Sequence, residues 1–244
     1  MQVFFSQQIE APYLYLTEEE AKHCVQVLRK KQGDVIHIID GLGGFYKGEI
    51  LNLHKKEVQI KILEQKFESK MNFDIHIALA TPKQTEKFEW FLQKATEIGI
   101  SEITPIQSLR TERKKLRLDR MEKILISAIK QSKRARLPKL NGFTPFSKFL
   151  DNNLDGAKLI GHCDCPPTES LIYVYKKHEI FSEKKVTVLI GPEGDFTLEE
   201  VEKAKEKGFL EITFGEMRLK TETAGILACH SLHLLSQMEA YEKN

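Results

Sequence analysis

Phe214-Gly215-Glu216-Met217-Arg218-Leu219-Lys220-Thr221-Glu222-Thr223-Ala224-Gly225 is the stretch on which the fold turns. It follows an apolar, strand-like run, Leu210-Glu211-Ile212-Thr213, and leads into a helix-like run from Ile226 to Ala240. A polar loop pinned between a strand and a helix is where an α/β protein keeps its ligand, beyond the carboxyl ends of its strands. Thr221 and Glu222 suit a helix start, as cap and as first-turn acid. Arg218 and Lys220 do not, because cations there oppose the helix dipole. A local cost without structural return is a mark of function.

Upstream, Leu189-Ile190-Gly191-Pro192-Glu193-Gly194 occupies the same strand-to-helix position. Two glycines bracketing a proline turn the backbone sharply. Thr197-Leu198-Glu199-Glu200 then spells a capping box for the next helix. The pair of loops reads either as a backbone cradle for a flat ligand or as turns with caps.

Working outward, the rhythm before these loops is strand alternating with helix. Ile75–Ala80, Glu102–Ile106, Ala157–Gly161, Val186–Ile190 and Glu211–Phe214 are predicted strands. Glu86–Ile98, Leu118–Ser132, Leu198–Lys207 and Thr223–Ala240 are predicted helices, the first carrying Phe88, Phe91, Leu92 and Ala95 at helical spacing. Such alternation predicts a mostly parallel sheet with covering helices.

Before residue 70 the pattern differs. Thr17-Glu18-Glu19-Glu20 fits a capping box before a short helix, and three strands follow at hairpin spacing, Val35–Asp40, Phe45–Leu53 and Glu57–Leu63. A small β-barrel over 1–70 is expected, with Glu64–Lys70 as linker and a second domain over 71–244.

The bulk composition excludes little else. With 41% hydrophobic and 30% charged residues, the 244-residue chain can bury a core, and its net charge is only +2. Interest in nucleic acid must therefore come from local clustering. Arg110 to Arg136 supplies it, with eleven Lys and Arg against three acids. The strip reads as a phosphate-binding surface or as a solvated helix face. No apolar run reaches the roughly 20 residues of a membrane span. Met1–Ser6 has no signal-peptide pattern, so a cytoplasmic protein with reduced thiols is expected. His162-Cys163-Asp164-Cys165 lacks a second ligand pair, so no metal site is expected. Phosphate-loop, dinucleotide and hydrolase-elbow motifs are missing, against an NTPase, a dehydrogenase or a hydrolase.

Taken with Arg218-Leu219-Lys220-Thr221-Glu222-Thr223-Ala224, the Leu189–Gly194 loop resembles the RsmE family of ribosomal RNA methyltransferases, in the SPOUT superfamily. His23-Cys24-Val25-Gln26-Val27-Leu28-Arg29, Lys94-Ala95-Thr96-Glu97-Ile98-Gly99 and Gln131-Ser132-Lys133-Arg134 resemble further family motifs, in order. The resemblance implies an α/β fold: a trefoil-knotted methyltransferase domain preceded by a PUA-like, RNA-binding barrel. It implies S-adenosyl-L-methionine as cofactor, N3 of a uridine in 16S rRNA as target within an assembled 30S subunit, and a homodimer. Expected cofactor-binding residues are Gly161, His162, Leu189, Ile190, Gly191, Pro192, Glu193, Gly194, Gly215, Met217, Arg218, Leu219, Thr221, Thr223 and Ala224. Arg218, Lys220 and Glu222 are the expected catalytic groups. Arg29, Arg110, Arg113, Lys133 and Arg134 are the expected RNA-binding residues. Two positions depart from the family pattern: Asp195 replaces a glycine, and Lys220 replaces an arginine, with loss of its planar fork.

Overall fold

The computed structural model describes residues 2–69, 71, 73–180 and 184–242. Met1, and Lys70 at the end of the expected Glu64–Lys70 linker, lie outside them. The chain forms two compact units, Met1–Lys70 with Leu125–Leu137, and Met71–Ile124 with Pro138–Asn244.

In the first unit, six strands form one sheet in the order β1-β4-β5-β6-β3-β2. These are β1 (Val3–Phe5), β2 (Ile9–Glu10), β3 (Tyr13–Thr17), β4 (Val35–Ile39), β5 (Gly44–Leu53) and β6 (Glu57–Phe67). Alternation explains them: β3 and β5 bury every second residue, and the sheet curls round Phe4, Leu14, Leu16, Ile36, Ile38, Tyr46, Ile50, Val58 and Ile60. Cys24 packs into the same core, and burial pushes its thiol up to about 11.

Three expectations change here. The polar run from Glu64 is no linker as far as Phe67, because it continues β6 and pairs with β5 from Gly44 to Lys47. An exposed polar run folds as strand when its neighbour offers a ladder of backbone hydrogen bonds. Thr17 precedes helix α1 (Glu18–Lys22) without a side-chain cap, and the helix passes directly into a π-turn over His23–Val27. Finally, a division into 1–70 and 71–244 has no place for Leu125–Leu137. The reason is packing: Ile129 and Ala135 share a core cluster with Val3 and Ile39, and Lys130 pairs with Glu20.

The second unit is a parallel sheet in the order β10-β8-β7-β12-β11-β13. Its strands are β7 (Asp74–Ala80), β8 (Glu102–Gln107), β9 (Lys139–Leu140, beside β8), β10 (Thr144–Pro145), β11 (Ala157–Gly161), β12 (Lys185–Ile190) and β13 (Leu210–Ile212). Helices are α2 (Thr85–Ile98), α3 (Leu118–Ser132), α4 (Phe146–Leu150), α5 (Leu171–His178), α6 (Leu198–Glu206) and α7 (Thr221–Glu242). The first turns of α3 belong to this unit and its remainder to the other. The strand predicted over Glu211–Phe214 ends earlier, at Ile212, where Thr213 turns its hydroxyl onto Gly215.

β7 and β12 are buried on both faces, as central parallel strands are. Helix α7 lies close against this sheet. A side chain at Gly225 would meet Leu79 Cδ1 at 2.5 Å and Phe91 Cε2 at 2.7 Å, so only glycine allows the approach.

Candidate functional site

The carboxyl ends of β11, β12 and β13 converge, and the loops that leave them enclose a pocket. Its walls are Gly161–Cys163, Ile190–Glu193 with Asp195, and Ile212–Leu219, closed by Thr221 and Ala224 of α7. Parallel strands place all three loops on one edge, which is why stretches distant in sequence meet here.

Each wall has a local cause. After β12, Asp195 N–H donates to the Pro192 carbonyl at 2.9 Å, closing a tight turn. Thr197 then starts α6 with the predicted capping box: its hydroxyl accepts from Glu200 N at 3.2 Å, and the Glu200 carboxylate accepts from Thr197 N at 3.0 Å. After β13, Gly215 takes a φ of +125°, and Thr213 Oγ1 accepts from its N–H at 3.2 Å. Lys220 lends its carbonyl to the Ala224 N–H at 2.8 Å in the opening turn of α7.

Of the expected cofactor residues, Gly161, His162, Ile190, Gly191, Pro192, Glu193, Gly215, Met217, Arg218, Leu219, Thr221 and Ala224 line the pocket together. Leu189 lies beneath it in the core, fully buried. Gly194 turns toward Arg110, whose Nη1 donates to its carbonyl at 2.6 Å. Thr223 is exposed on α7 and is not among the lining residues.

Of the expected catalytic residues, Arg218 lines the pocket and is exposed. Lys220 is exposed just outside it. Glu222 is different: only 7% exposed, with Oε2 fully buried and without a hydrogen-bond partner among the described residues. A buried unpaired acceptor costs about 1–3 kcal/mol, so a group that supplies a donor is favoured there.

Phe214 and Glu216 of the opening stretch also line the pocket, and so do Cys163, Asp195, Ile212 and Thr213, which were not among the expected site residues. Asp195 has the clearest geometry. It sits in the left-handed region, φ +61°, where a glycine is ordinarily needed. Its Oδ2 accepts from Cys163 N at 2.7 Å and its Oδ1 from Phe196 N at 2.8 Å, which ties the β11 loop to the β12 loop. Burial and the Asp195 carboxylate together push the Cys163 thiol above its ordinary value. His162 Nε2 meets Glu211 Oε1 at 2.9 Å. Burial pushes the Glu211 carboxyl up, but hydrogen bonds from Lys205 and His162 outweigh it and leave the group low. The signal for Asp195 was present in the sequence as its departure from glycine.

The expected RNA-binding residues fall in both units. Arg29 and Lys133 are exposed in the first, each with positive φ. Arg134, also there, is half-buried near Glu68. Arg110 and Arg113 are in the second unit, and both turn toward backbone. Arg113 donates through Nε to the Pro82 carbonyl at 3.2 Å and through Nη2 to that of Lys83.

The pocket suits a nucleoside with a charged tail. Its lining combines the apolar residues Ile190, Ile212 and Leu219 with the charged residues Glu193, Asp195, Glu216 and Arg218. A Cβ at Gly191 would stand 2.9 Å from Asp195 Oδ1 and 3.1 Å from Phe196 N, so the cradle needs glycine.

Two family models match the chain: an RNA methyltransferase domain over residues 69–233 and an RNA methyltransferase PUA domain over 16–63. The chain is similar to ribosomal RNA small subunit methyltransferase E of Bacillus subtilis, 29% identical over 242 residues, covering 95% of this chain and 94% of that protein. Among solved structures it resembles a probable rRNA-methyltransferase from Porphyromonas gingivalis, with a TM-score of 0.84, 34% identity and coverage of 98% and 100%. It also resembles a ribosomal RNA small subunit methyltransferase E from Neisseria gonorrhoeae bound to S-adenosyl methionine, with a TM-score of 0.83, 25% identity and coverage of 96% and 98%.

Proposed function

Because the chain belongs to the RsmE family of RNA methyltransferases, we propose that it methylates N3 of a uridine in the 16S rRNA of the small ribosomal subunit, with S-adenosyl-L-methionine as donor. The observation that carries this reading is the pocket at the ends of β11, β12 and β13, with the buried, unpaired Glu222 close in sequence to its last wall.

The cofactor supplies an electrophilic methyl group on a sulfonium. Backbone groups of Ile190–Glu193 and Gly215–Leu219 would hold the nucleoside part, with Ile190, Ile212 and Leu219 supplying apolar side chains in the same pocket. Holding donor and acceptor in line is worth roughly 7–11 kcal/mol of barrier, so orientation is the chief contribution of these loops. Uridine N3 carries a proton, which must leave for the nitrogen to take the methyl group in exchange for the donor's sulfur–carbon bond, the thioether being the leaving group. Glu222 takes that proton, which gives its unpaired oxygen a donor. Charge spreading to the uracil oxygens is met by the cations of Arg218 and Lys220, as at an oxyanion site.

The parallel α/β unit belongs with the SPOUT fold, and the path of the chain from β13 at the sheet edge to α7 against β7 and α2 supports a trefoil knot. The first unit serves as the PUA-like RNA-binding domain. The working form is a homodimer in the cytoplasm, acting on the assembled 30S subunit. Leu234, Met238 and Tyr241, exposed at helical spacing along α7, support a second copy as the cover of that stripe.

The test is incubation of the protein with labelled S-adenosylmethionine and unmethylated 30S subunits, followed by mapping of the product. Label at a uridine N3 of 16S rRNA is expected. Label in tRNA alone, or none, overturns the assignment. In the same assay Glu222→Ala is expected to lower kcat by about 10²–10⁴, the usual worth of a positioned base, with cofactor affinity little changed. Full activity in both Glu222→Ala and Lys220→Ala would remove these residues from the chemistry.

A further inference from the structure

A second concavity lies in the methyltransferase unit, lined by Lys83, Glu112, Arg113, Lys114 and Lys115. It is built by the loop that leaves β8. Ser108 and Thr111 open that loop with a tight turn, Thr111 N–H donating to the Ser108 carbonyl at 3.1 Å and Ser108 N–H to Thr111 Oγ1 at 3.0 Å. Leu109 N–H donates to Glu200 at 2.8 Å, which anchors the loop on α6. Arg113 then reaches across to the carbonyls of Pro82 and Lys83. Its guanidinium is a strut: it joins the β8 loop to the β7 loop and stands among the residues that line the groove.

The remaining charges face solvent. Lys114 and Lys115 are exposed. Lys83 pairs with Glu112 at 2.8 Å, with both side chains about two-thirds exposed, and an ion pair in that setting is worth little. Four cations against one carboxylate line the groove. It also touches the cofactor pocket through a named contact, because Lys83 N–H donates to Glu193 Oε1 at 3.1 Å and Glu193 lines that pocket.

We propose that this groove is a phosphodiester site, taking the RNA backbone beside the target nucleotide through Lys114, Lys115 and, once Glu112 gives way, Lys83. The inference rests on the methyltransferase reading and moves phosphate binding from the two arginines to these lysines. Arg110 and Arg113 become positioning residues that hold the loops. Phosphates held here give the transferred base its register, while the neighbouring pocket supplies the chemistry.

The experiment measures binding of a fluorescently labelled oligouridylate by anisotropy across a salt series, for the wild type and for Lys114→Ala/Lys115→Ala. Each neutralised phosphate of a single strand contributes about 0.7 to the slope of log affinity against log salt, so the double variant should lose about 1.4. S-adenosylmethionine affinity, measured by calorimetry, should be unchanged, which also reports that the variant is folded. Wild-type binding with an unaltered slope in the double variant overturns the groove and leaves the methyltransferase reading standing. A wild type that binds the cofactor but no oligouridylate at any salt also overturns the groove, whereas the methyltransferase reading falls only if 30S subunits take up no label.

Discussion

Asp195 shows how one residue both departs from a family pattern and accounts for its own departure. A left-handed φ costs an L-residue roughly 1–2 kcal/mol, and Asp is among the few that visit it routinely. Here the carboxylate also accepts two backbone N–H groups, one of them from Cys163 across the pocket. Asp195→Ala keeps the strain and loses both bonds, whereas Asp195→Gly loses the bonds and relieves the strain. Chemical denaturation should place Ala below wild type by about 1–3 kcal/mol and Gly between the two. Equal stability of Ala and Gly would show that the backbone conformation is not what matters. The sequence already marked this position through the missing glycine. It could not show the bond to Cys163, which joins residues 32 apart in sequence.

At the scale of elements, β7 and β8 carry a polar inclusion that sets a pH response. His76, on β7, is buried between the hydroxyls of Thr104 at 2.7 Å and Thr187 at 3.2 Å. Burial lowers its pKa to about 4. The folded protein therefore favours neutral imidazole, while the unfolded chain takes up a proton as pH falls through 6.5. Stability should be level above that value and decline from 6.5 to about 4, by on the order of 3 kcal/mol in all. Glu102 on β8 adds to this at lower pH. Burial raises its carboxyl, but hydrogen bonds from Asn141, Lys185 and Lys139 prevail and hold it near about 2. Its stabilising share is present above the ordinary value of 4.5 and is lost as pH falls from there toward 2. Thermal melts should show the midpoint falling from pH 6.5 downward, and His76→Gln should flatten the upper part of that fall. A variant with the wild-type profile would acquit His76. The strand itself was legible as a run of apolar residues. Its one buried imidazole was not, since only the register of three strands brings His76, Thr104 and Thr187 together.

For the whole molecule, the apolar stripe of Leu234, Met238 and Tyr241 on α7 predicts self-association. Sedimentation of the wild type should give a dimer, and Leu234→Glu with Met238→Glu should shift it to monomer at micromolar concentration; a dimer undisturbed by both changes would place the contact elsewhere. Periodicity and turn chemistry by themselves determined the alternation of strands and helices, the capping box at Thr197 and the positions of both ligand loops, because these depend on neighbours within a few residues in sequence. Tertiary structure alone decided the rest. It brought three strand ends to one edge, so that the Gly161 and Gly191 loops meet the Gly215 loop. It assigned Leu125–Leu137 to the first unit through the packing of Ile129 and Ala135. It also set Arg113 against the carbonyls of Pro82 and Lys83, since a guanidinium bonds whichever carbonyls the fold sets before it. The physical reason is common to all three: a local pattern reports what a segment can bury, and only the arrangement of segments reports what each side chain finds opposite.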